Sequence, residues 1–478
     1  MELEHTYGDL PSVFFTLQKP EPVPNPGKIY FNTALANQLG LGFLNNDEKK
    51  IIDYFSGNKV PKTLKPLAQA YAGHQFGHFT MLGDGRAVLL GEQIDPSGQR
   101  FDIQLKGSGQ TPYSRRGDGR ATLYSMLREY IISEAMHHLG IATTRSLSVI
   151  ATGQSVFRGT MHEGAVLSRV AKSHIRVGTF EYARHFCSIE DLQALTNYTI
   201  KRHFPDIINS ENPPLELLKS VMQKQIDLVV DWMRVGFIHG VMNTDNMSIA
   251  GETIDYGPCA FMNSYDRKTV FSSIDKSGRY AFGNQSDIVR WNLIVFANAL
   301  LPLVSKNKEK AVAMAQEVID AFQQEFTQKW YAMMFDKLGI MNVEEKDKDL
   351  VDELLVLMET QKADYTQVFL ALQQERDLDI TLFRQKTFDD WKLKWKKTHQ
   401  RGEERTFRLE RMQQSNPKVI PRNHWVENAL EAAVDGDMKP LNHLLERLSK
   451  PYGHHLDEIQ FEQIPISFDA EYQTFCGT

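Results

Sequence analysis

The sequence is poor in cysteine, in net charge and in long apolar runs. Cys187, Cys259 and Cys476 are the only three cysteines in 478 residues. They cannot make a disulfide framework and show no CxxC spacing, which points to a reducing compartment. The formal charge is only -6, so the chain as a whole is not built to hold a polyanion, and no nucleic-acid partner is expected. The longest apolar stretch, Leu293 to Val304, is interrupted by Asn298 and Pro302 and is too short to cross a bilayer. No basic segment followed by an apolar one opens the sequence, so no secretory signal is expected. These absences lead to the expectation of a cytoplasmic monomer with no membrane partner. What is present is 42% hydrophobic and 24% charged residues, the balance of a globular protein long enough for two to four compact units.

Pro20, Pro22, Pro24 and Pro26 favour an extended arm. NTALANQLG reads as a short helix stopped at Gly40. From Thr80 to Lys106 the pattern predicts a three-stranded antiparallel meander, with turns at Gly83-Asp84-Gly85 and Asp95-Pro96-Ser97-Gly98. A helix follows from about Arg120 to Leu139, with Leu123, Met126, Leu127, Tyr130 and Ile131 at helical spacing. The runs SLSVIATG and GAVLSRVAK add β-structure. Beyond residue 185 helical periodicity dominates, and beyond 340 the helices become more charged. The run KLKWKKTHQRGEERTFRLER reads as a solvated helix face. The predicted fold class is α+β: a β-rich lobe over 1–184, a helical lobe over 185–340, and a helical extension over 341–478 that packs on the helical lobe.

Several residues could carry chemistry. Asn246 and Asp255 offer hard oxygen ligands from two segments, a pair suited to Mg²⁺ when phosphate oxygens complete its shell; taken alone, Asn243, Asp245 and Asn246 are equally at home as turn formers. Lys106 ends a predicted strand, and Glu129 lies in the helix after it. A strand lysine held by a helix carboxylate pins that lysine onto nucleotide phosphates, and Glu134 is the competing carboxylate. The turn at Gly83, Gly85 and Arg86 would let backbone approach a ligand. Arg86, Lys106, Arg115, Arg116, Arg120, Arg169 and Arg176 concentrate positive charge in predicted loops and strand ends, which suggests an anionic ligand. Asp118 and Gly119 stand before a helix N-terminus, a favourable seat for phosphate. His74 and His78 have helical i,i+4 spacing, but the intervening glycine and the missing third ligand argue against a metal. No nucleophile elbow surrounds Ser125 or Ser168, so a hydrolase triad is not supported.

Glycine turn, strand lysine, helix glutamate, loop asparagine and Asp255-Tyr256-Gly257 follow the linear order of a protein kinase, which predicts a bilobal kinase-like fold. The order breaks at one position. In His239-Gly240-Val241-Met242-Asn243-Thr244-Asp245-Asn246, Val241 stands where a kinase has its catalytic aspartate, and valine cannot take a proton. Ordinary γ-phosphoryl transfer is therefore disfavoured, while nucleotide and metal binding survive.

HGVMNTDNMSI, IDYGP, LKGSGQTPYSRRGDGRA, SRVAKSHIRVGTFE and NPKVIPRN together resemble the selenoprotein O family across nearly the whole chain. The resemblance implies a kinase-like protein adenylyltransferase that binds ATP in an inverted orientation and places AMP on protein Ser, Thr or Tyr hydroxyls. It implies ATP contacts from Gly83, Gly85, Arg86, Lys106, Asp118, Gly119, Arg169, Arg176 and Asp255. It further implies Asp245 as the base, Glu129 as the partner of Lys106, and Asn246 and Asp255 as ligands of Mg²⁺, or alternatively Mn²⁺. Cys476 matches the position of the family's selenocysteine. The usual second cysteine is missing from SYDRKTVFSSIDKSGRYAF, which leaves a Cys259–Cys476 bridge or two free thiols. The alternatives are an ATP-binding module without catalysis, a conventional kinase using Asp245, and a uridylyltransferase using UTP.

Overall fold

The computed structural model describes residues 2–401, 404–453, 468 and 472–475. The strands are β1 Phe15–Leu17, β2 Gly27–Phe31, β3 Leu67–Gln69, β4 Ala72–Gln75, β5 His78–Met81, β6 Ala87–Ile94, β7 Arg100–Lys106, β8 Arg145–Arg158, β9 Thr160–Ala171, β10 Phe237–Ile238 and β11 Ala260–Phe261. Seven of them form one antiparallel sheet in the order β1-β3-β6-β7-β9-β8-β2. The helices before the cleft loops are α1 Thr33–Gln38, α2 Glu48–Phe55, α3 Leu123–His138, α4 Val177–Phe186, α5 Ile189–His203 and α6 Pro213–Val235. After them come α7 Gln285–Val304, α8 Lys308–Leu338, α9 Asp347–Thr360, α10 Tyr365–Gln373, α11 Lys386–Thr398, α12 Arg405–Ser415, α13 Asn423–Val434 and α14 Lys439–Leu448. The fold is α+β, with the sheet in the N-terminal part and helices in the C-terminal part.

Strand alternation divides the sheet into two unlike faces. Ile103, Leu105, Val166 and Val170 point outward and pack with Leu35 of α1, Leu39 just after it, and Ile51 and Phe55 of α2 into a small core. Gln104 and Lys106 occupy the other face of β7, and Arg169 on β9 pairs with Gln104. One strand register thereby puts both cations beside each other on the inner face.

The proline arm has a geometric task. Its flanking strands β1 and β2 lie at opposite edges of the sheet. At about 4.8 Å per strand the sheet is about 29 Å across. The Gln18–Pro26 segment joins these two edges, bending at Pro24 and Asn25. Glu21 and Val23 tie the arm down through Ser108 and Asn58.

Three sequence expectations are corrected. The strand around Thr80 is not part of the meander: β5 pairs with β4 in a separate ribbon, and β6 takes β3 as its neighbour. His74 and His78 therefore lie on that ribbon and not on a helix; the His74 ring bonds Glu181. The C-terminal extension does not pack on the helical lobe alone. Helices α9, α10 and α12 contact α8, while α13 and α14 cross over to α3. The run around Leu293 belongs to α7, and Phe282–Val304 is long and apolar enough by composition to span a membrane; here half of it is buried, against α4, α6 and α8. The cationic run folds as α11 and α12. Trp391 and Trp395 are buried on one face of α11, while Lys394, Lys396 and Lys397 are exposed on the other.

Candidate active site

A cleft of about 650 Å³ opens between the inner face of the sheet and the loops that follow α6. Its wall includes Gly83, Gly85, Arg86, Lys106, Asp118, Gly119, Arg169, Arg176, Asp245, Asn246 and Asp255. Glu129 lies behind this wall. Residues spread over more than 170 positions of sequence are thus gathered around one space.

Lys106 Nζ donates to Glu129 Oε2 at 2.6 Å and to Asp255 Oδ1 at 2.8 Å. Arg169 Nε donates to Glu129 Oε1 at 2.8 Å, and its Nη2 donates to Asp255. Arg176 lies 3.5 Å from Asp255 Oδ2, donates to the Asp245 carbonyl at 2.9 Å, and stacks its guanidinium 4.5 Å from the Tyr71 ring centre. Burial opposes ionisation of Asp255, yet Arg169, Lys106 and Arg176 overcome it and hold the carboxyl well below its usual range. Burial and the neighbouring Arg169 charge lower the pKa of Lys106. Burial works against Glu129 too, but Arg169 and Lys106 lower its pKa. Asp255 adopts φ 65°, a left-handed conformation that a non-glycine residue holds only when its surroundings fix it.

The competing carboxylate Glu134 points elsewhere. It accepts from Arg145 at 2.9 and 2.6 Å, from the Ser146 amide and from Asn32.

Asp245 and Asn246 sit in a short 3-10 turn, Thr244–Asn246. The Asp245 carboxylate is nearly buried; Gln75 hydrogen-bonds it, and its Oδ1 has no hydrogen-bond partner among the described residues. Burial raises its pKa to about 6. Asn246 Nδ2 donates to the Val241 carbonyl at 3.0 Å, which orients the amide and leaves Oδ1 as the available acceptor. Val241 itself lines the cleft. No group of three or more His, Cys, Asp or Glu side chains suited to a metal occurs among the described residues. Asn246 and Asp255, both on the cleft wall, are oxygen donors that could hold a divalent ion, with ligand oxygens completing its shell. The donor set fits a hard cation of this kind.

The glycine turn is built differently from the sequence reading. A Cβ on Gly83, whose φ is 129°, would lie 2.5 Å from the Tyr113 ring, and one on Gly85 would lie 2.9 Å from the Tyr113 carbonyl oxygen. These glycines admit the 108–120 loop against the turn. Thr111 Oγ1 donates to the Asp84 carbonyl at 2.6 Å, and Ser114 Oγ donates to that of Gly85. Asp118 is clamped by two Arg158 bonds of 2.8 Å. Helix α3 begins later than expected, at Leu123 behind the Thr122 cap, so Asp118 and Gly119 belong to the loop and not to the helix end.

Sequence reasoning passed over Tyr71, Asp84, Gln104, Tyr113 and Arg158, all of which line the cleft. Asp84 stood in plain view inside the glycine turn; it accepts from the Gln69 amide and from Gln104, and burial raises its pKa. Period-two alternation from Lys106 would have found Gln104. Nothing in the sequence marks Arg158. Cys259 is free and buried, with its thiol pushed up to about 11 by burial. Cys476 lies outside the described residues, as does any Cys259–Cys476 pairing.

A lysine–glutamate pair under a sheet, facing an asparagine loop and Asp255-Tyr256-Gly257 across a cleft, defines a kinase-like protein whose usual base position holds valine. A family model described as "Protein adenylyltransferase SelO" matches residues 1–449. The chain belongs to the SelO family and is a nucleotidyltransferase. "Protein nucleotidyltransferase YdiU" of Brevibacillus brevis is 54% identical over 477 residues, covering 99% of this chain and 97% of that one. The protein of the same name from Alkaliphilus metalliredigens is 53% identical over 478 residues, covering 100% and 97%. Among solved structures, "ROP2 from Toxoplasma gondii: A virulence factor with a protein-kinase fold and no enzymatic activity" is similar at 10% identity and a TM-score of 0.25, over 70% of this chain and 88% of that one. That likeness is slight.

Proposed function

We propose that the protein transfers AMP from ATP to Ser, Thr or Tyr hydroxyls of other proteins, with ATP lying inverted relative to a kinase. The observation that carries this reading is the Asp245 carboxylate, which lines the cleft with its pKa raised to about 6 by burial, beside a separate, cation-rich seat around Lys106, Arg169 and Arg176. Asp245 takes the proton of the acceptor hydroxyl, whose oxygen attacks the α-phosphorus in line. The bond to the pyrophosphate oxygen breaks, and the growing negative charge is met by Lys106, Arg169, Arg176 and Arg86. Glu129 keeps Lys106 in place. Asn246 and Asp255 hold Mg²⁺, which when bound neutralises phosphate charge. Gly83, Gly85, Asp118 and Gly119 shape the surface that receives the nucleotide. The description of the family as a protein adenylyltransferase supports adenylyl as the transferred group.

Val241 also favours a second reading, an ATP-binding module that does no chemistry. Intact-mass analysis after incubation with ATP and Mg²⁺, in parallel with α- and γ-labelled ATP, separates the two. Addition of AMP with α-label on protein is the expected result; no addition favours the binding module, and γ-label alone indicates a kinase. Asp255→Ala abolishes AMP transfer and Mg²⁺-supported ATP binding, whereas Asp245→Ala abolishes transfer and keeps most of the binding. Full activity in Asp255→Ala would refute the metal assignment.

A further inference from the structure

The segment NPKVIPRN and helix α13, which starts at its last residue, lie far from the cleft in sequence, and no role has yet been given to their side chains. Their contacts converge on the two elements that carry Glu129 and Asp255. Asn423, the last residue of the segment, accepts from the Phe261 amide at 3.0 Å and donates to the Phe261 carbonyl at 2.9 Å. Arg422 beside it bonds Asn263 and donates to Asp364 at 2.9 Å. The chain just after Asp255 is thereby gripped at two places from one side.

The opposite grip comes from α3. Arg128 directly precedes Glu129, so its side chain leaves the helix about 100° around the axis from the carboxylate. It donates through Nε to the Gly257 carbonyl at 3.3 Å and through Nη2 to the Cys259 carbonyl at 2.8 Å. Its Nη1 donates to Glu427 on α13 at 2.8 Å. Glu427 also accepts from Tyr472 at 2.5 Å and from Tyr124 of α3. Arg128 is buried, and a buried guanidinium keeps its position only while its carboxylate partner stays.

We infer that Arg128, Asn423 and Glu427 are positioning residues for nucleotidyl transfer: α13 clamps α3 to residues 257–261 and so sets the distance between Glu129 and Asp255. Kinase-like proteins need this helix and this loop in register for activity. Here the register is supplied by the chain's own C-terminal extension.

The inference rests on nucleotidyl transfer by this cleft, and two readouts keep it separable from that reading. Arg128→Lys, Asn423→Ala, Glu427→Ala and Glu427→Gln are compared with wild type and with Lys394→Ala, which removes an exposed ion pair between α11 and Glu353 of α9. Hydrogen–deuterium exchange is followed in 255–261 and in α6. Activity is followed as kcat and KM for ATP with excess Mg²⁺. The expected result is a kcat loss of about tenfold or more with ATP KM changed less than about threefold. Exchange rises in 255–261 and not in α6, Glu427→Gln retains more activity than Glu427→Ala, and Lys394→Ala matches wild type. Wild-type kcat in Asn423→Ala and Arg128→Lys would overturn the inference. So would exchange that rises equally in α6, which marks general loss of structure. If wild type transfers nothing, exchange confined to 255–261 still supports the clamp, and its absence refutes it.

Discussion

Single side chains in this protein carry charge at a cost that pH can expose. Glu252 is buried and accepts from the Lys172 amide at 2.9 Å. Burial raises its pKa from 4.5 to about 7, only partly offset by Lys172; Asp102 adds to the rise and Arg202 opposes it. The folded protein thus binds this proton more tightly than the unfolded chain does. The associated stability is full below pH 4.5 and is lost as pH rises through about 7. Glu252→Gln keeps an acceptor for Lys172 and removes the charge. Relative to wild type, its denaturant stability is expected to match at pH 4 and to be higher at pH 8 by roughly 3 kcal/mol. A difference independent of pH would contradict the assignment.

At the scale of elements, α3 gives two of its carboxylates different tasks. Glu129→Gln is expected to lower kcat about 100-fold, because it removes a charge that holds Lys106 and Arg169. Glu134→Gln is expected to leave kcat per folded molecule within about threefold and to cost about 1–3 kcal/mol of stability, since Glu134 braces Arg145, Ser146 and Asn32. Kinetics and denaturation on the two variants test both statements. In the 108–120 loop, Gly119 has φ 67° and an added Cβ would meet the Gly109 carbonyl oxygen at 2.0 Å. Gly119→Ala is therefore expected to weaken nucleotide binding by displacing the whole loop, measurable by titration of ATP.

These elements also show what the sequence could and could not disclose. The helix around Glu129, the hairpin bearing Lys106 and the long helices after 185 follow from local periodicity. Which of Glu129 and Glu134 meets Lys106 does not, because both belong to the buried helix and tertiary packing alone chooses. The β4–β5 ribbon was hidden by its glycines and histidines, which lack strand propensity. Arg158 was hidden because an arginine at a hairpin end looks like any solvated one. The crossing of α13 onto α3 depends on contacts between residues some 300 positions apart, beyond any local pattern.

For the whole molecule, one apolar core runs from Tyr7 to Leu448 and takes side chains from the sheet, the helical part and the extension. We propose that 1–184, 185–340 and 341–478 are parts of a single cooperative unit. Calorimetry is expected to show one unfolding transition, and separable transitions would refute it. The inner cluster has a consequence for what the pocket receives. Lys106, Arg169 and Arg176 face Glu129 and Asp255, three positive groups against two negative ones, so most of the positive charge of the seat is already matched within the protein. Any guest of that pocket therefore meets Lys106, Arg169 and Arg176 already engaged by Glu129 and Asp255, and must compete with two resident carboxylates for them.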